Sequence, residues 1–146
     1  NDCDQNEFLS NVPTNPRFLY TALSRFSTED TKSFFEGLGV PLKTERGNRV
    51  FPVSDKAIDV VVALKDAVRD AGVKVINERV TSLLLRDGAV CGVYTSRPYD
   101  FERVIVCTGG KSYPLTGSDG DGYKLAVQAG HSVHSKAPRA QRRSWY

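Results

Sequence analysis

The residues whose types and spacing could do chemistry are glycines that cluster late in the chain. Thr108-Gly109-Gly110 directly follows an apolar stretch, and residues 116–122 contain three further glycines. Glycine lets a backbone approach a ligand closely because it has no Cβ atom. Loops beyond the carboxyl end of a parallel strand are where α/β sheets bind ligands, and free N–H groups at the next helix start favour an anion. The spacing alone fits a ligand-binding loop and a plain strand-to-helix turn about equally well.

Fingerprints of other nucleotide, metal and catalytic sites are missing from the sequence. It contains neither the G-x-x-x-x-G-K-[ST] phosphate loop nor the G-x-G-x-x-G dinucleotide fingerprint. Asp119 and Asp121 have the wrong spacing for a calcium loop, and His131 and His134 have no carboxylate or cysteine at metal-ligand spacing. No serine lies in a G-x-S-x-G elbow. We therefore predict no metal site and assign no residue as a catalytic acid, base or nucleophile.

Extended segments lead into and precede the glycine-rich region. Arg103–Cys107 is the most apolar of them and is predicted to be a central strand that runs into the glycines. Arg79–Leu85 and Ala89–Thr95 are predicted to be two strands joined by Asp87-Gly88. That dipeptide is typical of a two-residue hairpin turn, because both central positions need positive φ. Val73–Ile76 is predicted to be a further short strand.

Helices are predicted before these strands. Asn15 is a good N-cap for a helix over Pro16–Phe26, and Ser27 begins a second helix with a capping-box pattern. The clearest helix is predicted over Asp55–Ala71, where apolar residues recur at helical spacing until Gly72 ends it. Helix, strand, hairpin and central strand in this order predict an α/β fold, with the Asp55–Ala71 helix as the crossover.

Composition excludes several classes of protein. The 146 residues are 40% hydrophobic and 25% charged, which argues against wholesale disorder, collagen and coiled coil. The longest apolar runs, such as Val60–Leu64, are too short to cross a bilayer, so we predict no membrane partner. Cys91 and Cys107 lie in apolar stretches, and the three cysteines form no C-x-x-C pair. We therefore predict that Cys91 and Cys107 are small core residues, and that the protein lies in a reducing compartment, the cytoplasm.

A basic tail closes the sequence. Residues 135–146 hold four of the 20 basic residues and no acid, whereas the remainder has 16 basic residues against 17 acidic ones. Such a tail could contact nucleic acid or anionic lipid. A solvated, disordered or non-native terminus is the simpler interpretation. We therefore predict no nucleic-acid partner.

Several motifs in one register resemble those of a flavoprotein family. Gly47–Ala57 resembles the signature GRVFP-x-S-x-KA, and Val106–Pro114 resembles ATGG-x-SYP with Cys107 in place of the usual alanine. Thr116–Tyr123 resembles TGS-x-GDGY, and Gly130-His131 the GH that follows it. Together they are similar to the bacterial aminoacetone-oxidase-like NAD(P)/FAD-dependent oxidoreductases. Those proteins have a two-dinucleotide-binding-domain fold.

The resemblance implies FAD as cofactor and NAD(P)H as a further partner of the parent protein. It implies that Val80 contacts the adenine through its backbone, and that Thr108, Gly109 and Gly110 form the turn close to the flavin nucleotide. Residues 1–134 would be a partial FAD-binding domain without its G-x-G-x-x-G unit, and the chain contains no methionine. We therefore expect an internal fragment that is inactive alone and holds FAD weakly.

A second interpretation of the sequence remains open. The chain could be a non-catalytic α/β module that binds a nucleotide or a partner. The genomic sequence around the chain distinguishes these two interpretations. An in-frame G-x-G-x-x-G strand upstream of Asn1 supports the flavoprotein fragment, and a natural start close to Asn1 supports the module.

Overall fold

A computed structural model describes residues 1–111 and 114–133. The chain divides into two compact units, Asn1–Val75 and the part from Ile76 onward. The basic tail, Ser112, Tyr113 and His134 lie outside the described residues.

The first unit contains four α-helices and a hairpin. The elements are α1 (Gln5–Ser10), a 3-10 turn (Pro16–Leu19), α2 (Tyr20–Arg25), α3 (Thr28–Gly37), β1 (Leu42–Glu45), β2 (Arg49–Pro52) and α4 (Ala57–Asp70). Strands β1 and β2 pair antiparallel, with Leu42 opposite Pro52 and Glu45 opposite Arg49. Local sequence does not specify this pairing, because each strand depends on a neighbour elsewhere in the chain.

The helix caps explain where these helices begin. Ser27 and Asp30 form the predicted capping box: the Ser27 N–H donates to the Asp30 carboxylate at 2.8 Å, and the Asp30 N–H donates to Ser27 Oγ at 3.1 Å. Asn15 occupies the predicted N-cap position before Pro16, but its backbone is left-handed and its side chain makes no capping hydrogen bond. The single helix predicted over Pro16–Phe26 is instead a 3-10 turn followed by α2.

Helix α4 confirms the strongest helix prediction and ends as expected. Gly72 adopts φ +69°, a conformation that suits glycine. The Val73 N–H donates to the Val68 carbonyl at 3.1 Å, and the Gly72 N–H to the Arg69 carbonyl at 2.9 Å. These bonds satisfy carbonyl groups of the last turn and stop the helix.

The second unit is built on a three-stranded antiparallel meander. Its strands are β3 (Ser82–Arg86), β4 (Ala89–Tyr94) and β5 (Pro98–Asp100), in the order β3-β4-β5. Asp87 and Gly88 form the predicted hairpin turn with φ of 52° and 77°. A 3-10 turn (Pro114–Thr116) and helix α5 (Asp121–Gln128) follow.

Two predicted strands, Val73–Ile76 and the central strand Arg103–Cys107, join no ladder within the described residues. The prediction of a paired central strand is therefore wrong for this chain. Ile105 is 87% exposed, and Cys107, predicted to be a core residue, is exposed as well. An extended segment becomes a strand only when a neighbour supplies N–H and C=O partners. The described residues supply none beside these two segments.

Few of the described side chains are buried. Among them the buried hydrophobic residues are Val40 in the first unit and Val93 and Leu125 in the second. Leu125 projects from α5, and Val93 from the middle strand of the meander. Of the helices within residues 1–111 and 114–133, none has the length and apolar character needed to cross a membrane.

Candidate functional site

The turn formed by Thr108, Gly109 and Gly110 is exposed at the end of the unpaired segment 103–107. Gly109 has φ +72°, which suits glycine. No backbone hydrogen bond between described residues uses the N–H groups of this turn. The turn therefore presents donors that a bound ligand could accept from.

Two close approaches explain why glycine stands at Gly109 and Gly122. A Cβ atom on Gly109 would lie 2.8 Å from Ser118 Oγ, and one on Gly122 would lie 2.5 Å from Thr108 Oγ1. Both distances are shorter than the normal van der Waals contact between a carbon and an oxygen atom. These glycines thus let the turn pack closely against residues 117–122, which we call the acidic loop, without displacing the Ser118 and Thr108 hydroxyls.

Gly110 differs from its neighbour. Among the described residues, a Cβ atom on Gly110 would meet only the Tyr123 hydroxyl, at 3.9 Å, and the φ of Gly110 is not positive. Neither backbone conformation nor packing within the described residues requires glycine at this position. The open space beside Gly110 fits the close approach of a ligand to the backbone.

The start of α5 does not offer the free anion site that the sequence suggested. The Asp121 N–H donates to Asp119 Oδ1 at 3.2 Å, and the Tyr123 N–H donates to the Gly120 carbonyl at 3.1 Å. Two carboxylates therefore already lie at the positive end of this helix. Hydrogen bonds from Arg79 lower the pKa of Asp119, and bonds from Lys124 and then Arg79 lower the pKa of Asp121. Both acids are charged at neutral pH, so a second anion is not favoured there.

Arg79 bridges the two acids of this loop. Its Nη2 atom lies 2.5 Å from Asp119 Oδ2 and also contacts the Asp121 carboxylate, which accepts from Lys124 Nζ at 2.7 Å. Two positive and two negative groups thus form a neutral cluster. Sequence reasoning missed it because Arg79 is 40 residues from Asp119, and no local spacing indicates such a pair.

Val80 is half-buried and directly follows Arg79. The residue before Arg79 is also fixed: Glu78 accepts hydrogen bonds from Thr95 Oγ1 and from the Tyr99 hydroxyl, the latter at 3.0 Å. These bonds hold the pKa of Glu78 below its usual value, with the Thr95 bond the largest cause. The backbone around Val80 is therefore tied to the meander by Glu78 and to the acidic loop by Arg79. Val80 is thus connected to the turn through Arg79 and the acidic loop, and no backbone hydrogen bond between described residues joins Val80 to the turn directly.

An apolar cavity of about 210 Å³ lies beside segment 103–107, which leads into the turn. Val104 and Val106 line one side of it, and Leu83, Leu125 and His131 line others. Within the described residues, no three histidine, cysteine, aspartate or glutamate side chains are grouped closely enough to hold a metal ion.

The chain is similar to known proteins over most of its length. Residues 1–137 match the protein family described as HI0933-like protein Rossmann domain. A Rossmann domain is an α/β fold, so this match confirms the predicted fold class. The chain is also 34% identical over 124 residues to the 3-dehydro-bile acid delta(4,6)-reductase of Clostridium scindens. The aligned part is 84% of this chain and 30% of that reductase, so the chain spans under a third of its relative.

Proposed function

Since the chain belongs to the HI0933-like Rossmann-domain family, we propose that it forms part of the FAD-binding domain of a flavin-dependent oxidoreductase. The observation that carries the proposal is the turn at Thr108–Gly110. It is exposed, and within the described part of the chain its N–H groups have no backbone partner and Gly110 has no close neighbour at its Cβ position. These features suit a nucleotide held through backbone contacts.

The residues proposed to hold FAD are Val80, Thr108, Gly109 and Gly110. The backbone N–H groups of the turn would donate to the nucleotide, and the backbone at Val80 would contact the adenine. FAD, when bound, supplies the redox chemistry. The protein residues bind and orient the cofactor, and we assign no acid, base or nucleophile to this chain.

The finer assignments rest on the motifs and on the relative. The RVFP, TGG-x-SYP and TGS-x-GDGY motifs support the aminoacetone-oxidase-like subfamily, with NAD(P)H as a further partner of the parent protein. The absence of a C-x-x-C pair and the apolar sequence around Cys91 and Cys107 support a cytoplasmic location. The relative is named as a reductase of a 3-dehydro-bile acid. Because this chain aligns with only 30% of that enzyme, we propose the redox class and no bile-acid substrate.

We further propose that residues 1–134 are one portion of that FAD-binding domain. The apolar segment 103–107 has no strand partner in the described residues, and Ile105 is 87% exposed. A near-continuous apolar strand is typical of a sheet that is covered on both faces. A further strand of the same domain, carrying the missing dinucleotide fingerprint, would supply the neighbour that this segment needs.

Flavin content tests the proposed function. The natural gene product that contains this chain is purified, denatured, and its released flavin identified and counted. We expect about one FAD for each polypeptide. A colourless product without flavin would contradict the proposal and favour the non-catalytic α/β module.

A matched pair of glycine variants then tests the site itself. Gly110→Ala is compared with Gly37→Ala, because both positions have room for a methyl group and neither has positive φ. We expect Gly110→Ala to weaken FAD binding at least about tenfold, which corresponds to about 1.4 kcal/mol. Gly37→Ala should bind FAD like the wild type. Equal affinity in all three proteins would place the cofactor elsewhere.

A further inference from the structure

The side chain of Arg79 connects two parts of the candidate site that are distant in sequence. It contacts the carboxylates of both Asp119 and Asp121, although two-thirds of the Arg79 side chain remains exposed. Val80, the proposed adenine contact, is the next residue. Arg79 thus joins the segment that carries Val80 to the acidic loop.

The acidic loop also packs against residues 108–110. Ser118 lies against Gly109, and Gly122 lies against Thr108, at distances that leave no room for a Cβ atom on either glycine. A displacement of the loop would therefore change the surroundings of both turn residues. Within the described residues, the acidic loop forms few backbone hydrogen bonds before α5. One internal bond joins the Asp121 N–H to the Asp119 carboxylate.

We propose that Arg79 is a positioning residue for the flavin nucleotide, and this inference rests on the proposed function. By bonding both acids, Arg79 holds the acidic loop against Thr108 and Gly109, so that the turn keeps the backbone geometry that receives FAD. Arg79 does not itself need to touch the cofactor.

Charge gives Arg79 a second effect on the same ligand. With Arg79 and Lys124 present, the two carboxylates are balanced. Removing the Arg79 charge leaves the cluster with a net charge of −1 next to the turn. FAD carries a diphosphate, and like charges within about a Debye length repel each other. Loss of Arg79 should therefore weaken FAD binding through both loop position and charge.

Arg69 provides a matched control. It also pairs with two carboxylates, Asp66 at 2.7 Å and Asp70 at 3.3 Å, and its side chain is 71% exposed against 67% for Arg79. Exposed ion pairs contribute little to stability. A purely structural role would therefore give Arg79→Gln and Arg69→Gln similar, small consequences.

The test uses the natural gene product with Arg79→Gln, Arg79→Lys and Arg69→Gln. FAD is titrated into each apoprotein by flavin fluorescence, and the melting temperature of each apoprotein is recorded. We expect Arg79→Gln to raise the Kd for FAD about tenfold with a melting temperature close to that of Arg69→Gln. Arg79→Lys keeps the charge but loses the two-carboxylate geometry, and should lie between wild type and Arg79→Gln. Arg69→Gln should match the wild-type Kd.

The outcomes separate this inference from the function on which it rests. A wild-type protein that takes up no FAD contradicts the proposed function, and the role of Arg79 with it. Wild-type affinity in Arg79→Gln contradicts the role of Arg79 alone. If Arg79→Gln fails to fold, the Kd of Arg79→Lys for FAD is the test. A wild-type Kd in Arg79→Lys would then overturn the inference.

Discussion

Gly109 and Gly110 are adjacent residues, but the structure constrains them differently. Gly109 has positive φ and lies against Ser118, whereas Gly110 has neither constraint within the described residues. The family resemblance assigned both glycines to the turn close to the flavin nucleotide. Sequence spacing cannot distinguish a glycine needed for packing from one needed for ligand binding. The structure assigns a packing requirement to Gly109 and, among the described residues, none to Gly110.

This difference predicts that the same substitution lowers stability at Gly109 but hardly changes it at Gly110. Gly109→Ala should lower the free energy of unfolding by about 1–2 kcal/mol, because alanine is strained at positive φ and its Cβ would press on Ser118. Gly110→Ala should leave stability within about 0.5 kcal/mol of wild type. Urea unfolding of the two variants in the natural gene product measures this. Equal destabilisation would show that Gly110 also has a packing role.

Glu78 predicts a pH dependence. Hydrogen bonds from Thr95 and Tyr99 lower the pKa of its carboxyl below the usual 4.5. The stability that this carboxylate contributes is therefore fully present above pH 4.5 and is lost as the pH falls through the lowered pKa. Glu78→Gln should melt at a lower temperature than wild type at pH 7, and the difference should shrink in more acidic buffer.

The control for this prediction is Glu36→Gln, at an exposed position of α3. It should melt like wild type at neutral pH. A Glu78→Gln protein whose deficit stays the same from pH 7 to pH 3 would contradict the assigned role, because protonation would then have no effect on the Glu78 contacts.

At the scale of elements, the sequence predicted those that depend on local signals. Helix α4 has a long apolar stripe and a glycine C-cap, and the β3–β4 turn has the Asp87-Gly88 dipeptide that positive φ requires. The paired strand predicted over Arg103–Cys107 fails, because strand pairing depends on a distant neighbour. The same dependence explains why the pairing of β1 with β2 was not predicted, and why the Arg79 cluster was invisible to spacing arguments.

The β4–β5 pair supplies a prediction at this scale. A Cβ atom on Gly92 would collide with the backbone carbonyl of Tyr99 on the neighbouring strand, whereas one on Gly88 meets open space. Gly92→Ala should therefore detach β5 and destabilise the second unit by more than about 2 kcal/mol. Gly88→Ala, strained only by its positive φ, should cost about 1 kcal/mol. Thermal unfolding compares them, and a milder effect at Gly92 would contradict the packing of this strand pair.

At the scale of the whole molecule, the chain exposes large hydrophobic side chains in both units. Ile58 and Val62 of α4 are about half exposed in the first unit, and Ile105 is almost fully exposed in the second. In return, few of the apolar residues that the structure describes are buried in either unit. Native stability is only about 0.05–0.15 kcal/mol per residue, so little remains to offset the conformational entropy of folding.

We therefore predict that the isolated 146-residue chain is marginally stable and retains FAD poorly. It should bind an apolar dye and unfold without a sharp thermal transition. Three or four backbone contacts of about 0.5–1.5 kcal/mol each sum to a few kcal/mol, which corresponds to roughly millimolar affinity. FAD should thus separate from the chain on gel filtration. A sharp transition, or a yellow stoichiometric complex, would show that these residues form a complete flavin-binding domain.

Hydrogen exchange at the turn tests the central claim most directly. The natural gene product is labelled in deuterated buffer with and without FAD, and the peptide spanning residues 105–111 is compared with one spanning the Asp87-Gly88 turn. The N–H groups at Thr108–Gly110 lack backbone partners in the described residues, so they should exchange fast without FAD and slowly with it. The Asp87-Gly88 peptide should not change. Bound FAD with unchanged exchange at residues 105–111 would contradict the claim that this turn holds the cofactor.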